Sequence, residues 1–261
     1  MKKTFVAIVL LTATIYQAEA QGIKGLMKKA TGSSDTTNPA TTAPTSGTII
    51  GKVFNGRSGT GLTQEDVAEG LKQALSQGVN RGTSQLASVD GFLKNAAVKV
   101  LLPPELQQVE QSLRKLGMGN LVDDAITSMN RAAEDAAGQA APIFINAIKQ
   151  MTIQDGFAIL KGSDTSATSY LRNKTTAPLT DAFRPVIQGS LEKVGATKYW
   201  TTMINAYNKV SFKKVNPDLA GYVTDKALYG VFYQVAQEEV NIRKNPVART
   251  TDLLKKVFGG S

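Results

Sequence analysis

The chain has 261 residues, 42% of them hydrophobic and 20% charged, with a formal net charge of +9 and neither histidine nor cysteine. This is the composition of a globular protein rather than a disordered or fibrous one. The missing residue types exclude Ser-His-Asp and Cys-His nucleophilic systems, ordinary zinc sites and disulfides, and leave only carboxylate, Lys, Tyr or Ser chemistry.

Residues 1–20, MKKTFVAIVLLTATIYQAEA, set Lys2 and Lys3 before an apolar run from Phe5 to about Ile15, with a small-x-small cleavage site at Ala18-Glu19-Ala20. That is the pattern of an export signal peptide, too short to stay in the bilayer as a span. Cleavage after Ala20 takes away Lys2, Lys3 and Glu19 and leaves a net charge of +8. A basic exported protein is drawn to lipid head groups, acidic polymers and acidic partner proteins. Without cysteine it is expected not to be a lipoprotein. Residues 21–61 read as a flexible tether. GIKGLMKKA is short, basic and amphipathic, and Thr31 to Thr48 is almost entirely Thr, Ser, Pro, Gly, Ala, Asn and Asp, which cannot bury enough apolar area to offset its ordering entropy. GKVFNGRS, Gly51 to Ser58, imitates a phosphate-binding loop with Arg57 in the lysine position, but with no strand before it the stretch reads as a Gly-rich junction.

Residues 62–258 are expected to form one all-α domain of eight to ten helices. Thr63 and Asp66 make a capping box, followed by Val67, Leu71, Leu75 and Val79 at helical spacing. Pro103-Pro104 opens a second helix with Leu106, Val109, Leu113 and Leu116 on one stripe and Gly117 as its stop. A third runs from about Asn120 to Ala137, and a fourth starts at Pro142 and carries Phe144, Ala147, Ile148 and Met151. Thr152 and Asp155 form another capping box before Ile153, Phe157 and Leu160. Ser163 is then expected to cap one helix and residues 178–194 to form another, kinked at Pro185 and stopped by Gly195. Lys198 to Tyr207 brings a stripe of Tyr199, Trp200, Met203, Ile204 and Tyr207. Asp218 caps a long helix to about Arg243, and Thr251 to Phe258 closes the chain. Within the long helix, ALYGVFYQVA at 227–236 is apolar nearly all round, as a central helix should be.

The segments DGFLKNAAVKVLLPPELQQVEQSLRKLGMG, SMNRAAEDAAGQAAPIFINAIKQMTIQD and NPVARTTDLLKKVFGG together resemble the exported bacterial family known as domain of unknown function 4197, from about Leu71 to Gly259. The resemblance implies a helical domain in the envelope of Gram-negative-type bacteria, hence a periplasmic location, and brings no catalytic residue with it. Relatives that begin as lipoproteins have the acylated cysteine that this chain lacks.

Several motifs tempt a chemical reading. SLRK at 112–115 and SMN at 128–130 imitate two elements of penicillin-recognising enzymes, but the third, a Lys-Thr-Gly strand, is missing, so both read as solvated helix faces. KYWTTMINAYNKVSFKK at 198–214 interleaves aromatics with lysines as single-strand nucleic-acid binders do. Its helical spacing favours an aromatic core stripe, and no nucleic-acid partner is expected. Adjacent acids such as Glu134-Asp135 and Glu238-Glu239 point about 100° apart on a helix and do not make a catalytic pair by themselves. Glu239 with Arg243 and Arg131 with Asp135 are expected as ion pairs one turn apart.

On a helical wheel Val122, Ala125, Ile126, Met129, Ala132, Ala133 and Ala136 share one face, with Asn130 and Glu134 along its border. The small side chains suit close helix packing, and the border pair would either satisfy neighbouring backbone or line a groove. Candidate binding residues are Asn130, Arg131, Glu134, Glu238, Arg243 and Arg249. No catalytic residue, metal site or cofactor is assigned. The favoured reading is a non-enzymatic envelope protein whose basic surface engages an acidic or amphipathic partner. The alternatives are a carboxylate-based cell-wall hydrolase using Glu134 or Glu238, and a carrier of an apolar ligand in a cavity lined by Phe183, Trp200 and Tyr233.

Overall fold

In the computed structural model, residues 63–249 and 251–258 are described. The proposed signal peptide, the tether and the phosphate-loop imitation all lie outside them. The elements are α1 (Gln64–Ala87), a 3-10 turn at Pro104–Leu106, α2 (Gln107–Lys115), α3 (Gly119–Ala137), α4 (Ala140–Lys149), α5 (Ile153–Lys161), α6 (Ser166–Lys193), α7 (Ala196–Val210), α8 (Leu219–Lys244), a 3-10 turn at Pro246–Ala248 and α9 (Asp252–Phe258). The number of helices falls within the expected eight to ten, and no strand occurs among the described residues.

Local chemistry sets the boundaries. Both capping boxes form: Thr63 accepts from the Asp66 amide and Thr152 from the Asp155 amide, with each aspartate bonding back. Asp218 accepts from the Gly221 amide at the start of α8. Gly117, just past α2, takes the left-handed φ of 75° that glycine adopts without penalty.

One expected boundary does not exist. The two helices anticipated between Ser163 and Val194 are the single helix α6, which contains both Pro178 and Pro185. The prolines lie seven residues apart on the exposed side, so the carbonyls that lose their helical donors, on Lys174 and Asp181, also belong to exposed residues, where water can take the donor's place. The opposite side buries Leu171, Leu179, Phe183, Ile187 and Leu191 and holds the helix together.

α8 is the central helix, as the all-round apolar stretch predicts. It packs against α1, α3 and α6. Ala227, Val231 and Phe232 are buried, and Phe232 meets Phe144 of α4 edge-to-face at 5.6 Å. α1 crosses α8 through its glycines: a methyl at Gly82 would sit 3.1 Å from Gln234 Cγ, and one at Gly78 3.3 Å from Glu238 Cβ. The apolar face predicted for α3 is the observed one, with Val122, Ile126, Met129, Ala132, Ala133 and Ala136 all buried. Several apolar residues depart from their expected stripes, Ile153 and Val194 among them, both exposed. Leu116 is 74% exposed because α2 ends one residue earlier, and Tyr199 is 76% exposed on the outer side of α7.

Candidate functional site

The candidate residues fall into three separate bonding groups. The first is built on α3. Asn130 and Glu134, expected at the border of its apolar face, are fully enclosed because the irregular segment 88–103 lies across them. Asn130 pairs with both sides of one peptide: its Oδ1 accepts the Val100 amide at 2.8 Å, and its Nδ2 donates to the Val100 carbonyl at 2.8 Å. Glu134 Oε1 accepts the consecutive amides of Phe92 and Leu93 at 3.0 and 3.1 Å. Arg131 bridges outward, donating to Glu134 Oε2 and to Asp90 Oδ1, each at 2.6 Å. Arg131 therefore pairs with Glu134 and Asp90 rather than with Asp135, which accepts from Ser190 of α6 instead.

Asp90 sits at φ 70°, a left-handed conformation that short acidic side chains tolerate better than most. Hydrogen bonds from Lys94 and then Arg131 hold its carboxyl below the usual carboxylate range. The next residue, Gly91, is forced: a Cβ there would lie 2.5 Å from the Leu86 carbonyl oxygen. The segment ends up with Phe92 fully buried against Gly230 of α8, where a methyl would be 2.5 Å from the ring. Asn130 and Glu134 thus supply to a structureless segment the hydrogen bonds that a helix or strand would supply itself.

The second group joins three helix ends. Thr165, at the start of α6, makes no side-chain cap. Glu239 of α8 does the capping from outside, accepting from the Ala167 amide at 3.0 Å and from the Thr168 amide and hydroxyl at 2.8 Å each. Arg243 pairs with Glu239 at 2.9 Å, as expected one turn away, and reaches on to the Ile159 carbonyl of α5 at 2.8 Å. A carboxylate at one helix start and a guanidinium at another helix end also match the two dipoles. Arg249 donates to the Ile242 and Arg243 carbonyls and closes the C-terminal end of α8. The third group is Glu238 alone, paired with Arg81 of α1 at 3.2 Å.

These six residues therefore do not line one cleft. Each of the three buried glutamates is bonded to an arginine. The void beside Glu239 and Arg243 measures about 10 Å³, close to the space of a single water. A wider groove of about 490 Å³ opens between α4, the start of α5 and α6, lined by Asn146, Gln150, Asp155, Tyr170, Lys174 and Pro178. Asp155 is already engaged there as the cap of α5, and burial raises the Tyr170 hydroxyl pKa. Phe183 and Trp200 are packed into the core, and neither they nor Tyr233 line this groove. Among the described residues no group of three or more His, Cys, Asp or Glu is placed to hold a metal ion. Serines 112 and 128 donate to carbonyls of their own helices, to Gln108 and Asp124.

The most distinctive surface was not singled out by the candidate residues. Between Glu192 and Asp218 the chain carries Lys193, Lys198, Lys209, Lys213 and Lys214 and no acid at all. On α7 the exposed residues Lys198, Thr202, Asn205 and Lys209 follow a three-to-four spacing and so share one stripe, with Tyr199 beside it. Trp200 and Ile204 are buried on the opposite side. Behind α7, Asn208 repeats the Asn130 device: it accepts the Val215 amide at 2.8 Å and donates to the Val215 carbonyl at 2.6 Å. The Ser211 hydroxyl bonds the Lys213 carbonyl at 2.9 Å, and Lys214 bonds the Asn208 carbonyl. In this pinned loop Phe212 is 105% exposed, more so than any other large apolar side chain described. Lys213 pairs with Glu105 at 2.9 Å, whereas Lys193, Lys198 and Lys209 form no ion pair among the described residues. The gap in acidic residues was the available sequence signal, hidden because aromatics at helical spacing suggested core.

The model of the family described as Protein of unknown function (DUF4197) matches residues 61–259. The chain belongs to that family. No curated protein and no solved structure matches it.

Proposed function

We propose that this DUF4197 member is an exported, non-enzymatic binding protein of the bacterial envelope, engaging an acidic or amphipathic partner through the basic face of α7 and the loop after it. The observation that carries the reading is the run from Lys193 to Lys214, five lysines with no acid between them in sequence, of which Lys198 and Lys209 stand on an exposed helix stripe and Lys213 and Lys214 in a pinned loop. A surface with an excess of positive charge concentrates polyanions near it and speeds their association. The leader-like residues 1–20 and the tether-like residues 21–61 support a location outside the cytoplasm.

The buried carboxylates support binding over hydrolysis. A general acid needs a carboxyl free to exchange its proton with substrate, and Glu134, Glu238 and Glu239 are each spent on an arginine. Affinity chromatography on immobilised polyglutamate tests the reading. The full chain should be retained at low salt and released as ionic strength rises, and K198Q/K209Q should elute markedly earlier. Equal elution of the wild-type protein and this variant would overturn it, as would robust glycan or peptide turnover abolished by Glu134→Gln in protein that remains folded.

A further inference from the structure

Resting on that reading, we infer that the partner of the α7 face is the surface of an anionic lipid bilayer, with Phe212 entering the boundary between head groups and acyl chains. The first observation is the loop itself. Asn208 fixes Val215 on both sides of its peptide, and Ser211 ties the loop across its apex, so Phe212 is not outside because the chain there lacks structure. The loop holds an aromatic ring fully in water, flanked by Lys213 and Lys214. An aromatic side chain with cationic neighbours suits the interfacial zone, where the ring leaves water and the ammonium groups stay among phosphates.

The second observation is the distribution of apolar exposure. Tyr199 stands exposed near the start of α7, to one side of the stripe, and Phe212 just past the helix end, with the polar residues Thr202, Asn205 and Lys209 between them in sequence. A protein groove built for a helix asks for contiguous anchors three and four residues apart. Separated aromatic anchors among lysines need no shape-complementary partner and fit a fluid surface. The third observation is a contrast. Another exposed apolar group, Leu116, Met118 and Leu121 at the turn between α2 and α3, has Glu110, Asp123 and Asp124 close by in sequence, and Glu110 and Asp123 both bind Arg114. That tip offers an anionic surface no net attraction, whereas the α7 face has Lys198 and Lys209, which form no ion pair among the described residues, beside Lys213 paired with Glu105.

Sedimentation with vesicles tests the inference, using the full chain at low salt and vesicles of phosphatidylcholine with or without phosphatidylglycerol. Wild-type protein should partition onto the mixed vesicles and stay in solution with phosphatidylcholine alone. Each of Lys198 and Lys209 changed to glutamine should weaken partition by about fivefold. Phe212→Ser should weaken it by roughly tenfold, with an unchanged circular dichroism spectrum. It should leave retention on polyglutamate as it was. Retention on polyglutamate without vesicle binding would overturn the bilayer assignment and leave the basic-face reading standing, pointing to an acidic protein or polymer. Vesicle binding undiminished by Phe212→Ser would also overturn it, since the other cationic segments, Lys24 to Lys29 included, are unchanged in that variant. Loss of both kinds of binding in the wild-type protein would remove the underlying reading as well.

Discussion

Glu239 on α8 is buried with both carboxylate oxygens bonded, to two backbone amides, a hydroxyl and an arginine. Trp200 on α7 is equally buried, yet among the described residues its indole N–H has no hydrogen-bond partner, and neither does the enclosed Thr197 hydroxyl one turn before it. α8 begins with a side-chain cap, whereas α7 begins at Gly195, in the left-handed region at φ 67°, without one. The two helices differ in how fully their polar groups are satisfied, and that difference separates the part that holds the fold from the part proposed to face a partner. An unpaired buried donor carries its full desolvation cost, so α7 is held chiefly by Trp200, Ile204 and the Asn208 pin. Elements with fewer satisfied contacts are the ones that open locally.

Arg243→Ala should break this comparison hardest. It leaves the buried Glu239 carboxylate without its cation and the end of α5 without its donor, at a cost of about 3–5 kcal/mol, read as a lower urea midpoint. Asn130→Ala removes both hydrogen bonds to the Val100 peptide and should cost about 2–3 kcal/mol. Hydrogen exchange should then accelerate at Val100 and through residues 88–103. Asn208→Ala performs the same surgery on α7, and there the cost should be only about 1 kcal/mol, with faster exchange confined to residues near 211–217. A drop as large as that of Asn130→Ala would erase the distinction between the two regions. Phe212→Ser should move stability by less than about 0.5 kcal/mol.

Acid sharpens the same contrast. Backbone hydrogen bonds, from Thr152 to Asp155 and from Gly221 to Asp218, hold both carboxyls below their ordinary value of 3.8. A carboxyl depressed in the folded state contributes stability that is fully present above its unfolded pKa and is lost as pH falls through the folded one. Amide exchange at the starts of α5 and α8 should therefore quicken below about pH 4, while the acid-free residues 193–217 respond little. At the alkaline end, burial pushes the Tyr222 hydroxyl up from 10.0 to about 12, and it donates to the Leu101 carbonyl at 2.7 Å. That contribution is complete below pH 10.0 and lost as pH climbs toward 12. Absorbance titration should show a tyrosine step near pH 12, and Tyr222→Phe should remove that step.

What the sequence made legible follows the range of the interactions. Thr63 with Asp66, Thr152 with Asp155 and Glu239 with Arg243 lie three or four residues apart, so spacing alone exposes them. The buried side of α3 and the enclosed stretch of α8 were equally readable, because helical periodicity carries burial. Glu239 capping Ala167 joins residues 72 positions apart, and no local pattern announces it. Asn130 and Glu134 looked like border residues because the segment that covers them is irregular and has no period of its own. Two helices were expected where α6 runs on through Pro178 and Pro185, since both prolines stand where water can receive the carbonyls they release. Tyr199 was misplaced because a wheel groups side chains by angle and does not say where a neighbouring helix stops.

The partnership of α1 with the last helix sets an order of events. A methyl at Gly70 would lie 3.0 Å from both Leu253 and Val257 of α9, and the same helix α1 meets Gln234 and Glu238 of α8 through its other glycines. α1 is therefore completed only by residues of α8 and α9, made long after it, and α6 receives its cap from residue 239. A growing chain that has not reached these residues lacks both its central helix and the carboxylate for its longest one. Such a chain should stay loose until α8 and α9 have been made, then close in a single cooperative step.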